Sequence, residues 1–238
     1  MKLKEISKEE LKEKLELHRK WLNGEEGIKL DLRYTDLRNT NLESANLRHA
    51  NLEGADLRHA NLEGADLRNT NLESANLRYV VLKYSNLSYS NLSNTDLSYS
   101  NLRCVDLKHT DLTNSNLCES DLRYSDLRYS NLRYSYLGYA DLRYAGLNNV
   151  DLSKTKFYST NLYKTKGNFV GVENIGSRND TTHYFYNDNR VICGCFDGTM
   201  EKFEGKVKET YEENSKEYKQ YIIAIDTLKK LAELEGEK

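Results

Sequence analysis

From residue 31 to residue 165 the apolar positions recur every five residues. Stepping by five from Leu32 to Leu162 visits 27 positions, and all are leucine except Phe157. Two residues before each stands a small side chain, as at Thr35, Ala45, Ala55, Ser85, Val105, Ser125 and Ala145, with Leu30 the larger first member. The residue directly before each leucine is Asp or Asn, apart from Val81, Tyr136, Gly146 and Lys156. The two residues after it are mostly polar, charged or tyrosine. A period of five fits neither the helix nor simple strand alternation. It requires the chain to turn once per repeat, with one large and one small side chain inside and three residues outside. Asp and Asn suit corners because their side chains hydrogen-bond nearby backbone. A chain that bends with one hand every five residues winds into a coil. Its successive turns can pair as parallel strands about 4.8 Å apart.

Different patterns flank the repeats. In residues 1–30, Ser7 and Glu10 stand at the two ends of a capping box, with Ile6 and Leu11 at the staple positions. Leu11, Leu15, Leu17, Trp21 and Leu22 form an apolar helical stripe that Asn23-Gly24 ends. This segment reads as an N-terminal helical cap, because an open repeat stack wets its core. In residues 166–238 the period is lost. Thr181–Tyr186 and Arg190–Cys195 read as a hairpin around Asn187-Asp188-Asn189. Thr199 then caps a helix carrying Met200, Phe203 and Val207. A second helix runs from about Ser215, with Tyr218, Ile222, Ile225, Leu228 and Ala232 on one face. The expectation is a small ββαα module that caps the stack, docks a partner or forms a homodimer.

Composition alone points the other way. Only 38% of the 238 residues are apolar, 30% are charged, proline is absent and mean hydropathy is −0.80, values that suggest disorder. The regular core answers this, since burying 27 large side chains contributes roughly 40–80 kcal/mol before chain entropy is subtracted. Net charge is −2, so the total implies no strongly charged partner. No apolar run is long enough to span a membrane and no secretory leader is visible, so a cytoplasmic protein is expected. The four cysteines, Cys104, Cys118, Cys193 and Cys195, include one C-x-C pair without a second ligand cluster. They read as reduced thiols, with no metal or cofactor expected.

The repeat closely resembles the pentapeptide-repeat family, whose motif is A(D/N)LXX. Ala55-Asp56-Leu57-Arg58-His59 and Ala65-Asp66-Leu67-Arg68-Asn69 match it as they stand. The resemblance implies an all-β solenoid, a right-handed quadrilateral β-helix of about seven coils and roughly 30 Å, with four repeats per coil. It also implies that like charges stack on each face, so that opposite charges meet only around a corner or diagonally. The segment Asn174–Thr182 resembles part of a terminal module on repeat proteins of phages and their bacterial hosts, which brings no assigned chemistry.

Function is less legible than fold. No inserted loop interrupts the repeats to build a pocket, and no nucleophile triad, phosphate loop or histidine pair appears. An enzyme is therefore not expected, and His49, His59 and His109 read as solvated surface. Some members of the family mimic duplex DNA and act on DNA gyrase, but that needs columns of carboxylates. Here residues 31–165 carry 16 basic and 16 acidic side chains. With a coil of 20 residues, one face stacks Lys83-Tyr84, Arg103-Cys104, Arg123-Tyr124 and Arg143-Tyr144. The next two faces add Arg128-Tyr129 and Arg133-Tyr134. Arginine and tyrosine are common interface anchors. The expectation is a rigid non-catalytic scaffold that binds a protein partner, with a phage or mobile element as one source and a host protein as its target. The alternatives are a gyrase-directed DNA mimic and a structural spacer. Single-stranded nucleic acid on the arginines and tyrosines is the weakest reading.

Overall fold

The computed structural model describes residues 2–157, 159–162, 164–167, 169–175, 180–186, 189–193 and 196–236. These fall into two compact units, Met1–Lys166 and Gly167–Lys238.

In the first unit every Asp/Asn position from 31 to 141 forms a parallel β-bridge with the residue 20 further on, from Asp31 with Asn51 to Asp141 with Asn161. Twenty residues are four repeats, so each repeat is one side of a four-sided coil. Three hydrogen bonds tie each repeat to its neighbours. The leucine N–H donates to the Asp/Asn carbonyl of the next coil (Leu52 to Asn71, 2.7 Å), and the second residue after the leucine donates likewise (Ser44 to Glu63, 2.9 Å). The Asp/Asn N–H donates to the small residue's carbonyl in the preceding coil (Asn71 to Ala50, 3.1 Å).

A tight turn closes each repeat, with the N–H of the next small residue donating to the leucine carbonyl, as Ala50 does to Leu47 at 3.0 Å. The third residue of every such turn, from Tyr34 to Lys164, has a positive φ between 52° and 67°. That is the signature of a type II turn. Only Gly54 and Gly64 among these positions are glycine. An L-residue there costs roughly 1–2 kcal/mol, and the ladder bond from its N–H offsets part of that. The corner Asp or Asn stabilises the turn from the other side. Its Oδ1 accepts the N–H two residues on, as Asn71 does from Glu73 at 3.2 Å.

The leucines and Phe157 at all 27 interior positions are buried. Most small positions are buried with them, and most of their hydroxyls donate to leucine carbonyls, whereas Thr35 donates to the Arg33 carbonyl and the buried Ser130 Oγ has no partner among the described residues. Serine reaches back within its own repeat (Ser85 to Leu82, 2.6 Å), and several threonines reach the preceding coil (Thr70 to Leu47, 3.0 Å). The charge pattern departs from expectation. Opposite charges meet within one repeat, because the residues either side of the leucine flank the same turn. Arg58 grips Asp56 at 2.6 Å and Arg143 grips Asp141 at 2.6 Å. Weaker contacts run to the next coil on the same face, such as Arg38 to Asp56 at 3.9 Å.

Helix α1, Lys8–Leu22, precedes the stack, and its Ser7 N-cap accepts the Glu10 N–H at 3.0 Å. Its buried residues are Leu11 and His18, while the other residues of the predicted stripe are half-buried or, like Trp21, exposed. His18 Nδ1 accepts the Leu30 N–H at 3.1 Å and the ring stacks on Trp21. Lys4 adds a parallel bridge to Thr35.

The second unit holds an antiparallel sheet in the order β1 (Val170–Ile175), β2 (Asp180–Phe185), β3 (Arg190–Cys193), β4 (Phe196–Thr199). The predicted hairpin is its central pair, with Phe185 opposite Arg190. The residues Asn187-Asp188 and Gly194-Cys195, and Gly176–Asn179 within the phage-like segment, lie outside the described residues. The expected two strands are thus four. The second predicted strand, Arg190–Cys195, is described over Arg190–Cys193, and Phe196–Thr199 pairs with it antiparallel. Neither outer strand carries an alternating pattern long enough to stand out. Helix α2 (Met200–Thr210) is capped by Thr199, and α3 spans Lys216–Gly236. Val191, Met200, Phe203, Val207, Tyr221, Ala224, Ile225 and Leu228 form the core. The buried face of α3 therefore includes Tyr221 and Ala224, while the predicted Ile222 is half-buried. Among the described residues, no helix is long and apolar enough to cross a membrane.

Candidate functional site

Each side of the coil presents two outward columns, one from each of the residues following the leucine. The side built on Leu42, Leu62, Leu82, Leu102, Leu122 and Leu142 gathers Lys83, Tyr84, Arg103, Arg123, Tyr124, Arg143 and Tyr144. The ladder bonds Tyr84 N to Arg103 O, Cys104 N to Arg123 O and Tyr124 N to Arg143 O hold them in register. Arg128 and Tyr129 lie around the corner, on the side after it. Arg133 and Tyr134 lie one side further, on the opposite face. The eleven candidates therefore do not form one surface, and seven of them do.

Tyr84, Tyr124 and Tyr144 are 55%, 51% and 41% exposed, so each ring offers about half its area to solvent. The φ > 0 turn aims these rings outward. Tyr124 and Tyr144 stack at 4.9 Å with an interplanar angle of 3°, and Lys83 Nζ lies 4.4 Å from the Tyr84 ring centre. Arg123 and Arg143 each hold a corner aspartate, Asp121 and Asp141, at 2.6 Å. Desolvation is the largest single influence on Asp141 and opposes its ionisation, but the side-chain and backbone hydrogen bonds from Arg143 and the charges of Arg143 and Arg123 together hold the carboxyl below its usual range. Arg103 reaches Asp121 at 4.0 Å. On the opposite face Lys154 donates to the Tyr134 hydroxyl at 3.1 Å, lowering its pKa.

Sequence reasoning missed a second kind of column. His59, Tyr79 and Tyr99 stack in succession at 4.9 and 5.0 Å, and Tyr89, His109 and Tyr129 at 4.6 and 5.0 Å. His59 and His109 are exposed, as expected, yet they are members of aromatic ladders rather than merely solvated. The signal was present as aromatic residues spaced by 20. Among the described residues no cluster of His, Cys, Asp or Glu is arranged to hold a metal ion. Cys193 accepts a hydrogen bond from the Thr182 hydroxyl at 2.9 Å, and Cys195 lies outside the described residues.

The pentapeptide-repeat model matches residues 30–64, 60–99, 75–114 and 100–135. Residues 30–135 are pentapeptide repeats, and the four-sided coil they build is the right-handed quadrilateral β-helix that such repeats imply. Similar solved structures include HetL, a pentapeptide repeat protein involved in heterocyst differentiation regulation from the cyanobacterium Nostoc sp. strain PCC 7120. It is 26% identical over 58% of this chain and 77% of its own, with a TM-score of 0.33. Full-length QnrB1, a plasmid-mediated fluoroquinolone resistance protein, is 15% identical over 56% of this chain and 83% of its own, with a TM-score of 0.31. A pentapeptide repeat protein of the Arabidopsis thaliana thylakoid lumen is 21% identical over 44% of this chain and 66% of its own, with a TM-score of 0.20. No curated protein matches the chain.

Proposed function

We propose that this protein is a non-catalytic, cytoplasmic scaffold that binds a protein partner through the Leu42 face of its β-helix. In this reading residues 1–30 cap one end of nearly seven coils, residues 31–165 are the binding scaffold, and residues 166–238 are a separate module that caps or docks. The observation that carries it is the Leu42 face itself. Three half-exposed tyrosines and four basic side chains stand there in one regular array, on a backbone fixed by ladder bonds. Such an array is pre-ordered, so binding loses little side-chain freedom.

The gyrase-directed DNA mimic has less support. A phosphate mimic needs free carboxylates in columns, whereas Asp31, Asp36, Asp56, Asp66, Asp121, Asp126 and Asp141 are each gripped by an arginine two residues on. The test is affinity capture from a lysate of the source cells. The control bait has Tyr84, Arg103, Arg123, Tyr124, Arg143 and Tyr144 all changed to serine, with folding of both baits checked by circular dichroism. A protein retained by the native chain and lost by the variant supports the reading. Gyrase as the protein lost by the variant revives the mimic, and a protein kept by both moves the site elsewhere. Capture of nothing favours a spacer.

A further inference from the structure

On the Leu42 face both outward columns are uneven from end to end, and the first divides into halves of opposite charge. In the first, Glu43 and Glu63 are followed by Lys83, Arg103, Arg123 and Arg143. The corner residues soften this division without removing it. Asn41 and Asn61 leave the early half at a net −2, and Asp121 and Asp141 reduce Lys83, Arg103, Arg123 and Arg143 together to +2, to which Lys164, beside Tyr144, adds one. No other side divides this way. The columns through Arg38 and through Arg48 hold bases and no acids, and the column through Arg33 has Glu53 and Glu73 between Arg33 and Arg133. In the second column of the Leu42 face, Ser44, Gly64 and Cys104 are small, whereas Tyr84, Tyr124 and Tyr144 are large.

We infer that the partner of this face is a second copy of the chain, packed antiparallel across a two-fold axis. An axis lying in the contact plane and perpendicular to the columns sets each column opposite itself in reverse order. Centred between Tyr84 and Cys104, it places Glu43 opposite Arg143 and Glu63 opposite Arg123 of the second copy. The same operation sets Ser44 opposite Tyr144, Gly64 opposite Tyr124 and Cys104 opposite Tyr84. Every large ring meets a small residue, and each glutamate meets an arginine. The interface is isologous and closes as a dimer. The one like-charged pairing, Lys83 opposite Arg103, has its charges met within each chain by Glu63 at 3.9 Å and Asp121 at 4.0 Å.

The two turn glycines give an independent observation. A side chain at Gly54 would strike the Tyr34 ring at 2.4 Å, so that glycine is explained by a ring of its own chain lying over it. Gly64 has the same backbone, yet a Cβ there would meet only the Ser44 hydroxyl, at 3.5 Å, among the described residues. Its φ of 67° does not demand glycine, since tyrosine, asparagine and histidine adopt similar values at equivalent turns. Gly64 is thus a recess that nothing described in its own chain fills. In the dimer the Tyr124 ring of the second copy fills it as Tyr34 fills Gly54.

This inference rests on the reading of the Leu42 face as a protein-binding surface and names its occupant. The first test is sedimentation of the full chain. The native protein should be a dimer that weakens as salt is added. The paired substitutions Glu43→Arg/Glu63→Arg, and separately Arg123→Glu/Arg143→Glu, should each raise the dissociation constant at least about tenfold. Mixing the two variants should restore association as a heterodimer, which a misfolded variant could not do. The second test uses Ser44→Cys/Tyr144→Cys with Cys104 and Cys118 changed to serine. Within one chain these positions are five coils, about 24 Å, apart, far beyond the ~7 Å reach of a disulfide. Oxidation should give a covalent dimer whose linked peptides contain residues 44 and 144. A native chain that is monomeric at about 100 μM overturns the inference. So does a dimer indifferent to both charge reversals, or one without the 44–144 linkage. A monomer that still captures a protein lost by the six-site variant overturns the dimer and leaves the binding-face reading standing.

Discussion

The repeat region and the C-terminal unit are built from opposite kinds of information. In the first, a residue's role follows from its place in a five-residue register. Leucine goes inside, Asp or Asn accepts a hydrogen bond at the corner, and the second residue after the leucine takes a left-handed turn. In the second, the core joins Val191, Phe203, Tyr221 and Leu228, which come from a strand and two helices far apart in sequence. The comparison teaches that stability in the first unit is distributed and nearest-neighbour, whereas in the second it converges on one cluster.

The sharpest way to break that contrast is to empty one core position in each unit. Leu102→Ala and Leu228→Ala each remove a fully buried side chain, and each should cost about 2–5 kcal/mol. The expected difference is in reach. Hydrogen exchange of the full chain should show Leu102→Ala raising exchange mainly in the coils on either side of Leu102. Leu228→Ala should raise it throughout β3, α2 and α3. Uniform loosening of residues 31–165 by Leu102→Ala would mean that the stack is one cooperative block.

Acid should separate the two regions next. His183 is buried in β2, with its ring edge-on to Phe169, and burial lowers its pKa from 6.5 to about 4. A neutral folded histidine that charges on unfolding stabilises fully above pH 6.5, and that contribution is lost as pH falls toward 4. The loss is of order 3 kcal/mol. The repeat wall carries depressed carboxylates instead. The Arg38 hydrogen bond lowers Asp36 to about 2, so its contribution is complete above 3.8 and is lost only as pH falls through about 2. Between pH 6 and 4 exchange relative to the intrinsic amide rate at each pH should therefore rise in the C-terminal sheet and stay level across the coils. His183→Gln should flatten that rise. An unchanged rise in His183→Gln would remove the histidine from the account.

How much of this was legible follows from the same difference. The interior leucines and the corner Asp/Asn residues could be read directly, because each role is tied to one residue type. The left-handed turn could not. Tyrosine, asparagine, histidine, serine, lysine, cysteine and glutamate all occupy it, and glycine only twice. Its cost is offset by backbone ladder bonds that any side chain permits. The candidate residues were legible as arginine–tyrosine pairs. That Arg133 and Tyr134 stand opposite the Leu42 face follows from the 20-residue ladder, which the five-residue period alone does not determine. In the C-terminal unit the hairpin and both helices were visible from local pattern. The outer strands Val170–Ile175 and Phe196–Thr199 were not, since pairing with a neighbour rather than composition makes them strands.

The turn itself offers a smaller effect. Asn94 has φ of 58° and its N–H donates to Thr113 at 2.9 Å. Asn94→Gly should change stability by a few tenths of a kcal/mol, because both residues accept this conformation. Asn94→Val should cost about 1–2 kcal/mol, since a β-branched residue is a true outlier there. Equal melting temperatures for the two variants would show that the turn is not held left-handed in solution.

The smallest effects lie on the wall, where two pairs of one geometry differ in burial. Arg33 grips Asp31 at 2.7 Å with the carboxylate side chain 49% exposed, and Arg58 grips Asp56 at 2.6 Å with it 8% exposed. If the pairs acted through Coulomb attraction alone, their removal would have similar consequences. Desolvation makes them unlike. Water replaces the guanidinium at Asp31, whereas Asp56 keeps the backbone N–H of residue 58 at 3.2 Å, the Arg38 contact at 3.9 Å and little access to solvent. Arg33→Ala should leave the melting temperature within about 1 °C, and Arg58→Ala should lower it by a few degrees. Arg38→Ala combined with Arg58→Ala should then cost more than the two changes added separately, since together they leave the buried Asp56 carboxylate without a cation. Additive shifts would mean that the carboxylate is better hydrated than its exposure indicates. The wall charges would then serve the choice of partner and not the fold.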